Sequence, residues 1–169
     1  MSDIMKSICA VEGVEAAGVK EGKYGLALIR ASGTGAAVFT KNRVRAPVVN
    51  LMAERTLRGK LDGVIVNSGC ANAYTGKRGF EDAKTMAQIG AEALGIDEMN
   101  CGVASTGVIG RYLDLDLIRR QTAAVAPNLA HSGSAEDAAA RAIMTTDTVP
   151  KHALVRADGF TVAGICKGS

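Results

Sequence analysis

The chain has 169 residues, 47% of them hydrophobic and 22% charged, which is one domain's worth of sequence with enough apolar residues to pack a core and too many to stay disordered. A net charge of +3, 4% aromatic residues, no Trp and no long Lys/Arg run exclude a nucleic-acid binder. No apolar stretch approaches membrane-spanning length and no apolar leader opens the chain, so the expectation is a single cytoplasmic domain over residues 1–169.

In chain order, Tyr24–Ala31 and Gly35–Thr40 are short strand-like runs separated by "SGTG", which predicts a hairpin. "APVVNLM" follows, with Pro47 expected at a strand start or edge. "LDGVIVNSG" is a continuous apolar run that predicts a buried strand ending in Asn67-Ser68-Gly69. Phe80, Met86, Ile89, Ala93 and Leu94 recur at near-helical spacing, and Gly95 supplies a stop, so a helix is predicted over 79–94.

"CGVASTGVIGR" then reads as a strand that breaks into Ser105-Thr106-Gly107. "LDLDLIRRQTAAVAPNL" is a second amphipathic helix, ended by Pro127, and "SAEDAAARAIMTTD" a third, with Ser134 as cap and Asp137 three residues on. "HALVRA" and "FTVAGIC" are strands joined by an Asp158-Gly159 turn. The sum is an α/β or α+β chain of about seven strands and three helices.

Cys9, Cys70, Cys101 and Cys166 form no CxxC pair, and His131 and His152 stand apart from them. Free thiols are expected and no metal site. Polar islands remain at Asn67–Gly76, Ser105–Gly107, Met144–Lys151 and Cys166–Ser169. Singly, each reads best as a turn or a helix end. Together, small and hydroxyl residues following strands are what an oxyanion hole requires: Thr106 brings a hydroxyl, and Gly107 an N–H that no side chain screens. Lys167, directly after an apolar run expected to be buried, calls for an anion such as a carboxylate, unless the chain simply surfaces there.

"AAVFTKNRVRAPVV", "VIVNSGCANAYTGKRG", "VASTGVIG", "AIMTTDTVPK" and "VAGICKGS", in this order, resemble the N-terminal (α) part of the ornithine acetyltransferases, also called glutamate N-acetyltransferases. The resemblance covers nearly the whole chain. It departs from the pattern at Cys70, where many members carry Asn, and at Cys166, where Ala is usual. It implies a layered sheet-and-helix sandwich of the N-terminal-nucleophile-like type and a self-cleaving precursor. A threonine released at the N-terminus of a separate β chain then carries the acetyl group from N2-acetyl-L-ornithine to L-glutamate, with its α-amine as local base.

By the same resemblance, Thr106 and Gly107 form the oxyanion hole, and Thr145 (with Thr146 as the alternative) and Lys167 bind substrate. An α2β2 assembly is implied, with a chain running past Ser169 and no bound cofactor, acetyl-CoA being a second donor in some members. Two rival readings are a related N-terminal-nucleophile amidohydrolase or aminopeptidase, which would release the acyl group to water, and a non-catalytic subunit that holds a small anion.

Overall fold

The computed structural model describes residues 7–167. The apolar runs become four strands of one sheet: β1 (Glu15–Glu21), β2 (Tyr24–Thr34), β3 (Lys60–Cys70) and β4 (Cys101–Val108), adjacent in that order. β1, β2 and β3 are antiparallel neighbours, whereas β4 lies parallel to β3. A parallel step needs a long crossover, and helix α2 (Gly76–Leu94) supplies it. Because side chains alternate along a strand, β2 feeds two cores. Leu26 and Leu28 pack with Ile65 of β3, Met86 and Leu94 of α2, and Ile118 of α3 (Leu115–Val125). Ala27, facing the other way, packs with Ala16, with Ala139 and Ala142 of α4 (Gly133–Ala142), and with Ile8 and Cys9. The sheet is therefore covered by helices on both faces, a layered α/β sandwich.

The predicted crossover helix forms, three residues longer at its start, and Gly95 closes it in the left-handed conformation at φ 66°. Asp114 caps α3 by accepting from the Leu117 N–H at 2.9 Å, and Pro127 lies in the short 3-10 turn that follows.

Several local expectations fail. The hairpin between 24–31 and 35–40 does not form. β2 runs on to Thr34 and pairs back to β1 across Gly22-Lys23, while residues 35–40 carry no strand. β1 pairs with β2 no further than Arg30, but β3 continues to Gly33 and Thr34, so "SGTG" produces only a register shift against β3, between Arg30 and Gly33. Pro47 starts no strand either. It opens α1 (Pro47–Thr56), where its fixed φ and missing N–H are harmless, and Val48, Leu51 and Arg55 are buried at helical spacing. The cap of α4 is Ser132, whose hydroxyl accepts from the Ala135 N–H at 3.2 Å. Ser134 lies inside the helix, and Asp137 pairs with Arg141 one turn on at 2.6 Å.

β5 (Lys151–Ala157) and β6 (Phe160–Cys166) form the predicted final hairpin as a separate two-stranded sheet. The described residues thus hold six strands and four α-helices rather than seven and three. The strand before Lys167 is not buried as expected. Ala163 and Ile165 turn inward onto the α4-side cluster, while Val162 and Phe160 stay exposed. His152 of β5 adds an anchor, its Nδ1 lying 3.0 Å from the carboxylate of buried Glu136 on α4.

Candidate functional site at the ends of β3 and β4

Parallel pairing sets Asn67, Ser68 and Gly69 of β3 directly beside Ser105, Thr106 and Gly107 of β4. At Gly69 and Cys70 the ladder turns irregular, opposite Thr106–Val108. Gly107 has φ 135°, and a Cβ there would come within 2.3 Å of the Gly69 carbonyl carbon and 2.6 Å of the Cys70 nitrogen. Only glycine fits, so β4 can press against β3 while the Gly107 backbone stays exposed. Thr106 stands one residue back and half-buried. Its hydroxyl donates to the Asn67 carbonyl at 3.5 Å, the long edge of hydrogen-bonding distance, so it is free to turn to a better acceptor.

Gly107 and Thr145 both line a groove of about 390 Å³, whose wall also includes Lys20, Lys23, Gly69 and Thr146. Lys167 reaches it by donating from Nζ to the Thr145 hydroxyl at 2.9 Å. Residues dispersed over three polar islands are thereby drawn together: Gly107 and Thr145 on the wall, Lys167 bonded to Thr145, and Thr106 just behind Gly107. Of the two adjacent threonines, Thr145 is the one that takes the lysine bond. The last two residues of "CKGS" lie outside the described residues. A larger cleft of about 660 Å³ opens between the first turns of α1 and α2, but none of the predicted site residues lines it.

The groove is electropositive. Lys151 pairs with Asp147 at 2.8 Å, and the Thr145 N–H also points to the Asp147 carboxylate at 3.4 Å. Lys20 and Lys167 are both held below the ordinary lysine range, first by burial, and Lys20 further by the positive charge of Lys167; Asp147 partly offsets both. Among the described residues, Lys20, Lys151 and Lys167 around the Asp147 carboxylate leave a surplus of positive charge that suits an anionic ligand.

Lys20, Ser68 and Asp147 escaped the sequence reading as individual site residues. Lys20 lies 125 positions before Thr145, and no local pattern links a strand-end lysine to a loop so distant. The thiols stay out of the groove's wall. Cys9, Cys70 and Cys101 are buried and Cys166 is exposed, all free. Burial pushes the Cys101 thiol up to about 11, which makes it unreactive. Cys70 turns its sulfur to the carbonyls of Arg111 and Tyr112, each at 3.4 Å. Among the described residues no helix is long and apolar enough to cross a membrane, and no His, Cys, Asp and Glu side chains group as a metal site.

Residues 11–169 match the ArgJ family. The chain belongs to that family. Over its whole length it is 50% identical to a glutamate N-acetyltransferase of Methanosarcina mazei, covering 43% of that protein. It is 45% identical over 96% of its length to the arginine biosynthesis bifunctional protein ArgJ of Archaeoglobus fulgidus, covering 42% of it. Among solved structures it resembles the ornithine acetyltransferase of Mycobacterium tuberculosis, crystallised with ornithine. The TM-score there is 0.92 and the identity 37%, over 98% of this chain and 93% of that one. ArgJ of Bacillus halodurans gives 0.87 and 38%, over 96% and 90%. The sandwich expected from the resemblance is thus the fold of the ArgJ family, and the chain spans less than half the length of the curated relatives it matches.

Proposed function

We propose that this chain is the α part of an acetyltransferase of arginine biosynthesis that moves the acetyl group of N2-acetyl-L-ornithine to L-glutamate. The observation that carries this reading is the convergence of Gly107, Thr145 and the Lys167–Thr145 hydrogen bond on one cationic groove, in a chain of the ArgJ family. In the proposed mechanism the hydroxyl of a threonine at the N-terminus of a β chain, cut from the same precursor, attacks the acetyl carbonyl. The threonine's α-amine takes the hydroxyl proton. The tetrahedral oxyanion is held by the Gly107 N–H and the Thr106 hydroxyl. Collapse breaks the amide bond, the α-amine returns the proton to the leaving nitrogen, and ornithine departs. Glutamate's amine then attacks the acetyl-threonine ester and leaves as N-acetylglutamate, restoring the hydroxyl. Lys167 and Thr145 hold the substrate carboxylate. No bound cofactor is needed, acetyl-CoA is a second candidate donor, and two α and two β chains make the working assembly.

The test is to express the complete gene product and follow acetyl transfer from N-acetylornithine to glutamate, alongside N-terminal sequencing of the polypeptides recovered. The expected result is a second chain beginning with threonine, glutamate-dependent release of ornithine, and a Thr106→Ala variant slowed roughly 10²–10³-fold, the usual loss for one oxyanion donor. Processing is scored separately for that variant, because self-cleavage draws on the same hole. Ornithine release that ignores glutamate would establish a hydrolase instead, and an unprocessed, inactive product would leave only an anion-binding role.

A further inference from the structure

The loop that carries Thr145 follows α4, and helix ends leave carbonyl groups without intrahelical partners. One of these carbonyls, and one in the loop just beyond, have partners on the sheet. The buried Ser68 hydroxyl of β3 donates to the Ala142 carbonyl at 2.6 Å. Lys20, at the end of β1, donates from Nζ both to the Ser68 hydroxyl at 2.9 Å and to the Met144 carbonyl, one residue before Thr145. The approach is close enough to require Gly25 on β2. A Cβ there would lie 2.1 Å from the Ala142 oxygen and 2.9 Å from both Lys20 Cδ and Ser68 Oγ. A cation at a helix C-terminus is also favoured by the helix dipole.

Lys20 is thus more than a charge on the groove wall. It is placed unfavourably close to Lys167, whose charge helps depress its proton affinity, and it holds that place through bonds to Ser68 and Met144. Solvent would accommodate an uncommitted lysine better.

We propose that Lys20 is a positioning residue for substrate binding: its ammonium group ties the Met144 carbonyl to Ser68 and so sets where Thr145 stands on the groove it shares with Gly107. The inference rests on the reading of Thr145 as a substrate contact. Lys20 touches the loop that presents Thr145 and needs no contact with the reacting atoms. Losing it therefore weakens binding in the ground and transition states alike, raising KM with little change in kcat.

The experiment uses the complete, processed enzyme and compares Lys20→Met, Lys20→Arg, Thr145→Ala and the Lys20→Met/Thr145→Ala double variant. Lys20→Met should raise KM for N-acetylornithine roughly tenfold, about 1.4 kcal/mol, with kcat within about threefold of wild type. Lys20→Arg, which keeps the charge and the donors, should recover most of that loss. The double variant should be no worse than Thr145→Ala, because both changes remove the same contact. Ser68→Ala cuts the other end of the tie and should shift KM the same way, which covers the case in which Lys20→Met does not fold. Wild-type KM in Lys20→Met or in Ser68→Ala, with KM raised in Thr145→Ala, would overturn the positioning role alone. Additive losses would also overturn it. An unchanged KM in Thr145→Ala would instead bring down the underlying site assignment.

Discussion

The side chains that matter most here are small or positively charged, and each does something a near relative would not. Gly107 is held to glycine by the Gly69 and Cys70 backbone atoms, which leave no room for a Cβ. Lys167 combines a long reach with a charge made less costly to lose by burial. Its depressed proton affinity gives a pH prediction with a definite sign. Binding of a carboxylate needs the ammonium form, which is present below the Lys167 pKa and lost as pH rises through it. That point lies below the range of an exposed lysine. The value of kcat/KM for N-acetylornithine should therefore fall on an alkaline limb. Lys167→Met should start low and lose that limb, while Lys167→Arg should push it upward, because arginine stays protonated. A pH–rate profile of the three proteins checks this, and an unchanged limb in Lys167→Met would assign it to another group.

At the scale of elements, α4 is the one whose ends matter to the site. Ser132 closes its start, and the Ser68–Lys20 tie receives its end. Gly18 lets it lie against β1, since a Cβ there would come within 2.5 Å of the Ala138 carbonyl oxygen. Ser132→Ala removes a side-chain cap and should cost about 1 kcal/mol. Ser134→Ala, at the position the sequence pattern favoured, should stay within about 0.5 kcal/mol. Urea midpoints of the two variants in the complete enzyme separate the assignments, and equal losses would mean the cap is shared. Arg55 plays the corresponding part for β4. Buried in α1, it donates to the carbonyls of Glu98 and Cys101 and pairs with the Glu98 carboxylate at 3.1 Å, fixing where the strand begins.

Across the whole molecule the two sheets differ in how well they are covered. The four-stranded sheet has helices on both faces, whereas the β5–β6 hairpin leaves Val155, Phe160 and Val162 between 58 and 62% exposed. Under the proposed function the β chain is expected to cover this face. Residues 1–169 produced alone should then self-associate, and Phe160→Lys with Val162→Lys should reduce that association. The same pair of changes in the complete product should weaken recovery of the β chain with the α chain. Light scattering after size-exclusion chromatography measures the first effect, and affinity co-purification the second. A chain that remains monomeric without the changes would remove the argument for a covered face.

Periodicity and punctuation were enough for β3, the crossover helix with its Gly95 stop, α3 before Pro127, and the Asp158-Gly159 hairpin. In each, a local pattern and a local stop agree. The Ser-Thr-Gly interruption of an apolar run was equally plain, but the strand does not break there: β4 runs through Ser105, Thr106 and Gly107 to Val108, paired to β3. Pro47 misled because it suits a helix's first turn as well as a strand's edge, and only the burial of Val48 and Leu51 against the neighbouring core decides between them. "SGTG" misled because turn residues bend a chain only where no ladder holds it straight, and β3 still pairs with Gly33 and Thr34 where β1 has already ended. Lys20 had no local signature at all, and Ser68 was legible only as part of a polar strand end. Their role arises where β1, β3 and the end of α4 meet, and contacts between residues so far apart in sequence exist only once the layers have packed.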